Sequence, residues 1–217
     1  MNAEPKGRNE GVQIMKRMIK ILLSGIFCLS ILAGCSSSPY AKAEAQTLTI
    51  QGVPVYVEPD EETTQGDIDT FLKVIKAQPG FLMKNCTGIH LQGDNTYIEE
   101  EGYDSNSSGY ASGNDVFLRT KLSDADGSKI TEDIVKETVP HELWHVFDYT
   151  NGNNGYCLSE LDFNVFYNQN PGSISSYGAT NVKEFFAEAG EMYLLSPEEL
   201  KGKNMDVYNY FEALPKE

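Results

Sequence analysis

Basic residues are scarce in this chain of 217 residues. It has 17 lysines and arginines against 32 aspartates and glutamates, a formal net charge of -15 at pH 7. A nucleic-acid-binding protein presents a basic face to the phosphate backbone, so this balance argues against such a partner. An acidic surface instead keeps an exported protein soluble or favours basic substrates. The length allows one good-sized core, or a core with a small helical annex.

Long hydrophobic runs are also missing. The apolar run 21–33 is short for a membrane span and follows a basic segment, residues 16–20, which predicts a secretory signal peptide. The residues at its end, Leu-Ala-Gly-Cys at 32–35, resemble the lipobox of bacterial lipoproteins. This resemblance implies lipidation of Cys35 and an exported protein anchored to the outer face of a bacterial membrane. The alternative is an ordinary secreted protein that is cleaved nearby.

The N-terminal features divide the chain into four parts. Residues 1–14 do not suit a signal peptide, so we expect that translation starts at Met15 and that residues 15–34 are the lipoprotein signal. The small polar residues of 35–47 predict a lipidated tether. Residues 48–217 then form the folded domain.

The periodicity of the domain changes from strand-like to helical along the chain. Alternating residues and Pro54 predict one edge strand over 48–57. Further patterns predict a helix over 67–77 and strands over 87–91, 96–100 and 116–119. From residue 131 the pattern predicts helices over 131–149, 158–167, 181–195 and 205–214. Strands followed by helices indicate an α+β fold, with a small N-terminal mixed sheet and a mainly helical C-terminal half.

Histidine occurs only three times, and two of the three lie in VPHELWHVFD, residues 139–148. On a helix His141 and His145 share one face, so both imidazoles can bind one zinc ion. Glu142 projects beside them and can serve as the base for an attacking water. The alternative is a helix with two surface histidines. The third, His90 in GIHLQGD, is interpreted as a strand histidine rather than a ligand.

A third ligand is needed, and NVKEFFAEAGEMY at residues 181–193 offers one. Glu184 and Glu188 lie four residues apart on a largely apolar helix, where a carboxylate needs a partner. Zinc would partner Glu184, and the ring N–H of a ligating histidine would partner Glu188. The alternative is a solvated acidic face.

Together His141-Glu142-x-x-His145, Tyr177 and Glu184 within KEFFAEA resemble the anthrax lethal factor-type metallopeptidases, and among these the small secreted Pro-Pro endopeptidases. The resemblance implies a zincin-like metalloprotease fold and one zinc ion per chain, bound by the two histidines and Glu184. It further implies that Glu142 is the catalytic base and that Tyr177 donates to the oxyanion.

The same resemblance implies that an extended peptide binds along an edge strand. The matching segment holds Tyr110, Ala111, Ser112 and Gly113, and Tyr103 would flank the cleft; an ordinary loop is the alternative. Two positions depart from the family pattern. Trp144 stands where glycine is common. Pro140, directly before His141, either begins the helix or kinks it.

These features predict a monomeric zinc endopeptidase that hydrolyses extracellular or cell-surface proteins. The resemblance to the Pro-Pro endopeptidases implies cleavage between or beside prolines. The alternatives are a catalytically inactive lipoprotein used for binding or adhesion, and a zinc-binding solute receptor. A receptor would more naturally use histidine-rich ligation with no base beside it. Two cysteines of the exported domain, Cys86 and Cys157, leave a disulfide open.

Overall fold

The fold comes from a computed structural model that describes residues 38, 40–93, 107–120 and 131–216. In these residues five strands form one mixed sheet in the order β1-β2-β3-β5-β4. The inner pairs β2-β3 and β3-β5 are parallel, and the outer pairs are antiparallel. The strands are β1 (Gln46–Ile50), β2 (Val53–Glu58), β3 (Gly88–Gln92), β4 (Gly109–Ser112) and β5 (Asp115–Arg119).

The single strand predicted over 48–57 is wrong, because the chain turns back within it. The strands β1 and β2 form an antiparallel hairpin closed by Gln51 and Gly52, whose φ angles are 52° and 87°. Two successive positive φ angles are typical of a tight hairpin turn, and glycine adopts one of them without strain. Pro54 lies in β2, and the pairing with β3 begins one residue later, at Val55.

The helices confirm most of the predicted pattern. The predicted helix over 158–167 is split into a 3-10 turn, Leu158–Glu160, and a short α-helix, Asn164–Gln169. Two short helices, Gly80–Met83 and Pro197–Lys203, were not predicted. The predicted strand 96–100 lies outside the described residues. No helix of the described segments is long and apolar enough to cross a membrane. The α-helices are α1 (Gln65–Lys76), α2 (Gly80–Met83), α3 (Glu132–Thr150), α4 (Asn164–Gln169), α5 (Val182–Leu195), α6 (Pro197–Lys203) and α7 (Met205–Ala213).

All five strands of the described residues lie before residue 120 and five of the seven α-helices lie after it, which confirms the predicted α+β class, and α3 is the helix that packs on the sheet. Alternate strand residues such as Val55, Ile89 and Val116 are fully buried in the same core cluster as α1 and α3. On its other side α3 packs against α5 through Trp144, which is fully buried. A Cβ atom on Gly190 of α5 would lie 2.5 Å from Cδ2 of Trp144. The ring of Trp144 therefore fits between the two helices because position 190 of α5 has no Cβ atom.

The folded unit begins before the predicted boundary at residue 48. The described residues belong to one compact unit, Ser37–Glu217. Ala43 is 3% exposed and belongs to the core, and its N–H donates to the carbonyl of Thr63 at 3.0 Å. Gln46 already belongs to β1. Residues 41–47 therefore belong to the folded domain, so any tether ends before residue 41 rather than at residue 47.

The two cysteines of the domain are both free and buried, so the disulfide left open by the sequence is absent from the described structure. Cys86 directs its sulfur to the carbonyl oxygen of Gly88 at 3.3 Å. Cys157 lines a cleft beside α3. Burial raises the pKa of each thiol to about 11, so both stay protonated at neutral pH.

Candidate active site

Three donor atoms meet in the cleft between α3 and α5. Nε2 of His141 lies 3.0 Å from Oε2 of Glu184, and Nε2 of His145 lies 3.2 Å from both atoms. Ligand atoms at about 2.0–2.1 Å from a tetrahedral zinc ion are about 3.3 Å apart. The triangle therefore fits one tetrahedral metal ion held by three protein ligands, with one position left open.

The histidines are placed by α3, which continues through Pro140. The helix begins at Glu132, and Oγ1 of Thr131 caps it by accepting from the N–H of Ile134 at 3.3 Å. The prediction that the helix could start at Pro140 is therefore wrong. The proline lacks the N–H that would bond the carbonyl four residues earlier, but the helix continues to Thr150. His141 and His145, one turn apart, share the face toward α5.

Glu184, the carboxylate of the triangle, is placed by the first turn of α5. The side-chain oxygen of Asn181 accepts from the N–H groups of Lys183 and Glu184, at 3.0 and 3.1 Å. This cap and the helix dipole both favour a carboxylate at that position. Burial disfavours the charge, but hydrogen bonds with His141 and His145 outweigh it and hold the pKa of Glu184 well below its ordinary value.

Glu142 lies beside the metal triangle and is 7% exposed. Strand β4 approaches it closely, because a Cβ atom on Gly109 would lie 3.0 Å from Cγ of Glu142 and 2.8 Å from Cγ2 of Thr138. Burial raises the pKa of Glu142, although the neighbouring imidazoles His141 and His145 oppose the shift. A carboxylate with a raised pKa takes up a proton more readily, as a general base must.

Tyr177 faces the triangle from the far wall of the cleft. Its ring centre lies 5.9 Å from that of His141, and the side chain is 55% exposed. Partial burial, followed by the charge of Glu184, raises the pKa of Tyr177 to about 12. The phenol therefore stays protonated and available as a hydrogen-bond donor.

The other nitrogen of His141 faces two carboxylates. Nδ1 lies 3.6 Å from Oε1 of Glu188, as the sequence predicts, and 3.6 Å from Oε2 of Glu191, which it missed. Burial lowers the pKa of His141, but the bonds to Glu184 and Glu191 reverse this and raise it to about 10. The signal for Glu191 was its place three residues after Glu188 on the same helical stripe.

A second missed residue is Asp148, one turn beyond His145 in HELWHVFD. It is 1% exposed and accepts from the N–H and the hydroxyl of Ser159, at 2.7 and 2.6 Å. Burial raises the pKa of Asp148, and the bonds to Ser159 oppose that shift. This contact fixes the turn Leu158–Glu160, which forms the wall of the cleft next to Cys157.

Strand β4 forms the opposite wall of the cleft, which has a volume of about 640 Å³. It ends the sheet, as the resemblance implied, and Ala111 and Gly113 line the cavity. Tyr110 also lines it, but its ring is 5% exposed and stacks on Phe117 at 4.7 Å, so it offers little ring surface to a ligand. Ser112 is exposed but does not line the cavity. Tyr103 and Cys35 lie outside the described residues.

His90 lies on β3 as a strand histidine. Its ring stacks between Tyr56 at 4.8 Å and Phe117 at 4.5 Å. Together with Tyr110, these rings form one continuous line, here called the aromatic row, across strands β2, β3, β5 and β4. The face that carries this row is opposite to the one that buries Val55.

The fold and the three converging ligand atoms define a metallopeptidase. The family model described as "Glucose-regulated metallo-peptidase M90" matches residues 89–214, and the chain belongs to that family. Among solved structures the chain resembles the Pro-Pro endopeptidase from Paenibacillus alvei, with a TM-score of 0.52 and 19% sequence identity. This match covers 72% of the present chain and 95% of the other, and it shows a shared fold. No curated protein matches the chain.

Proposed function

We propose that the chain is a zinc-dependent endopeptidase of the lethal factor type. The observation that carries this proposal is the triangle formed by His141, His145 and Glu184, with Glu142 buried beside it. Membership of the M90 family and the fold shared with a Pro-Pro endopeptidase support it.

Two imidazoles and one carboxylate are a ligand set that suits zinc and leaves a position open. Bound there, zinc would polarise the scissile carbonyl and lower the pKa of the attacking water toward about 7. Glu188 and Glu191 lie at the Nδ1 side of His141. Their carboxylates would hold the ring N–H and turn the Nε2 lone pair toward the ion.

The remaining steps fall to three parts of the chain. Glu142 accepts a proton from the attacking water and returns it to the leaving amine. Tyr177, which stays protonated, donates a hydrogen bond to the oxyanion that develops on the scissile carbonyl. The backbone of β4, a sheet edge, pairs with the extended substrate and holds it beside Glu142.

The substrates that we propose are extracellular or cell-surface proteins, cut at or beside Pro-Pro bonds. The signal-like segment 15–34 and the lipobox-like Cys35 support export and a lipid anchor. The Paenibacillus alvei protein with the shared fold is a Pro-Pro endopeptidase, which supports the bond preference. A stiff proline-rich segment loses less entropy on binding than a flexible one.

The test combines metal analysis with a peptide-library digest read by mass spectrometry. We expect one zinc ion per chain and cleavage of peptides that contain a Pro-Pro bond. Glu142→Gln should abolish cleavage, whereas Glu198→Gln, the same change at a carboxylate that is 84% exposed on α6, should not alter it. A zinc-loaded protein that cuts no peptide would contradict the proposal and support the inactive binding lipoprotein instead.

A further inference from the structure

A second cavity, of about 530 Å³, adjoins the cleft at the C-terminal end of α3. Asn85, Asn114 and Thr150 line it together with the loop 152–156, and Tyr149 lines both this cavity and the cleft. Among the described residues that line it, none is charged. This is unexpected in a chain with a formal charge of -15, and it indicates an uncharged ligand.

The loop that borders this cavity is tightly folded. Asn153 and Tyr156 exchange two backbone hydrogen bonds of 3.0 Å, and the turn between them places Asn154 at φ 54° and Gly155 at φ 83°. Asn-Gly is the sequence that such a two-residue turn favours. A Cβ atom on Gly152 would overlap the carbonyl oxygen of Tyr156. The loop therefore presents Tyr156 from a backbone that is already ordered.

Two large aromatic side chains are left open to solvent at this place. Tyr149 is 60% exposed and Tyr156 is 59% exposed, and both line the cavity together with asparagine side chains. Tyrosine rings bind proline and aliphatic groups at a low entropy cost, and amide side chains bond to peptide N–H and carbonyl groups. The same groups also suit a neutral sugar.

The position of this cavity next to the cleft favours a peptide over a sugar as its ligand. A peptide that pairs with β4 runs from Gly109, beside Glu142, to the end of the strand near Gly113. At about 3.3 Å per residue, it leaves the strand about four residues from the scissile bond. The next residue of the chain, Asn114, lines the second cavity, and Tyr149 lines both that cavity and the cleft.

We propose that this cavity is a remote substrate subsite, in which Tyr149 and Tyr156 bind an uncharged, proline-containing segment on one side of the scissile bond. The proposal rests on the proposed peptidase function for its substrate, but the binding itself does not require catalysis. The subsite selects long substrates over short ones.

The binding test uses fluorescein-labelled octaproline and fluorescence anisotropy with the zinc-loaded Glu142→Gln protein, which should bind the peptide without cutting it, and the variants below are made in that protein. Tyr156→Ala should weaken binding about fivefold or more, the loss expected for one aromatic contact. Tyr156→Phe should retain most of the affinity. The matched control is Tyr40→Ala, which removes a tyrosine that is 88% exposed and does not line the cavity. Circular dichroism should show that all three variants stay folded, since both rings are largely exposed.

The cleavage test uses one peptide that the library digest shows to be cut, shortened to six residues or extended by four residues on either side. Extension on one side alone should raise kcat/KM, and Tyr156→Ala should remove that gain without slowing the short peptide. Equal octaproline binding by wild type and Tyr156→Ala would overturn the subsite. Tyr156-dependent binding of N-acetylglucosamine tetramer without octaproline binding would also overturn it and assign a sugar. If no peptide is cut but octaproline binding still depends on Tyr156, the peptidase proposal fails and the subsite stands.

Discussion

Glu142 follows His141 directly in the chain, yet its side chain is not one of the three converging groups that could hold a metal ion. We expect Glu142→Gln to lower kcat by about 100-fold or more while zinc stays bound one to one, because only the proton acceptor is lost. Glu184→Gln should lose most of the zinc, since it removes a charged ligand. Metal analysis after gel filtration, together with a peptide assay, measures both. Loss of zinc from Glu142→Gln would contradict the assigned roles.

Gly109 is the residue at which a single methyl group should disturb the site most directly. In Gly109→Ala the new Cβ would meet Thr138 and Glu142 at 2.8 and 3.0 Å, so β4 or the base must shift. Overpacking of this kind costs about 1–3 kcal/mol, and a small displacement of a catalytic group can slow a reaction about 100-fold. The measurements are urea denaturation and kcat. Gly202→Ala, whose Cβ meets nothing within 4 Å, is the control and should leave kcat unchanged.

At the scale of secondary-structure elements, local spacing is what the sequence could predict. His141, His145 and the pair Glu184 and Glu188 follow from helix periodicity, and the structure brings both helices to one cleft. Hydrogen bonds between elements that are distant in the sequence do not follow from helix periodicity. Asp148 accepts a hydrogen bond from Ser159 only because the turn that carries Ser159 folds back on α3. The hairpin of β1 and β2 was missed because the apolar alternation continues through its turn.

The contact between α3 and α5 sets the distance between the histidines and the glutamate ligand. In Gly190→Ala a Cβ would lie 2.5 Å from the ring of Trp144, which is buried among Phe81, Phe147, Phe186 and Phe211. We expect the helices to separate, with a loss of about 1–3 kcal/mol of stability and weaker zinc retention. Thermal unfolding and competition with a chelator measure the two effects. A variant that unfolds earlier but retains zinc as tightly as wild type would show that this contact does not position the ligands.

At the scale of the whole molecule, the acidic balance bears on the proposed location. Cleavage before Cys35 would remove five of the 17 basic residues and only two of the 32 acidic ones, so the exported chain would be more acidic still. Such a protein is repelled by an anionic lipid surface, so at the proposed location its anchoring would come from lipid rather than from charge.

We accordingly expect Cys35→Ala to release the protein from the membrane fraction without loss of activity on soluble peptides. Two acyl chains anchor a protein stably, and a variant without lipid has no anchor. Fractionation after a salt wash should therefore find wild type in the membrane and the variant in the soluble fraction. Cys28→Ala, which alters a cysteine within the predicted signal, is the matched control and should stay in the membrane. Retention of Cys35→Ala in the membrane would contradict the lipobox interpretation.

The aromatic row has a consequence for the strand on which the substrate is proposed to lie. An edge strand has a neighbour on one side only, and β4 is bonded only to β5 in the described sheet. Tyr110 joins it to Phe117, His90 and Tyr56 by stacked rings on the face away from the helices. A slip of β4 by one residue would turn this ring toward the helices and break the stack. The stacked rings therefore hold β4 in one register, while the outer edge of the strand stays free to pair with a substrate.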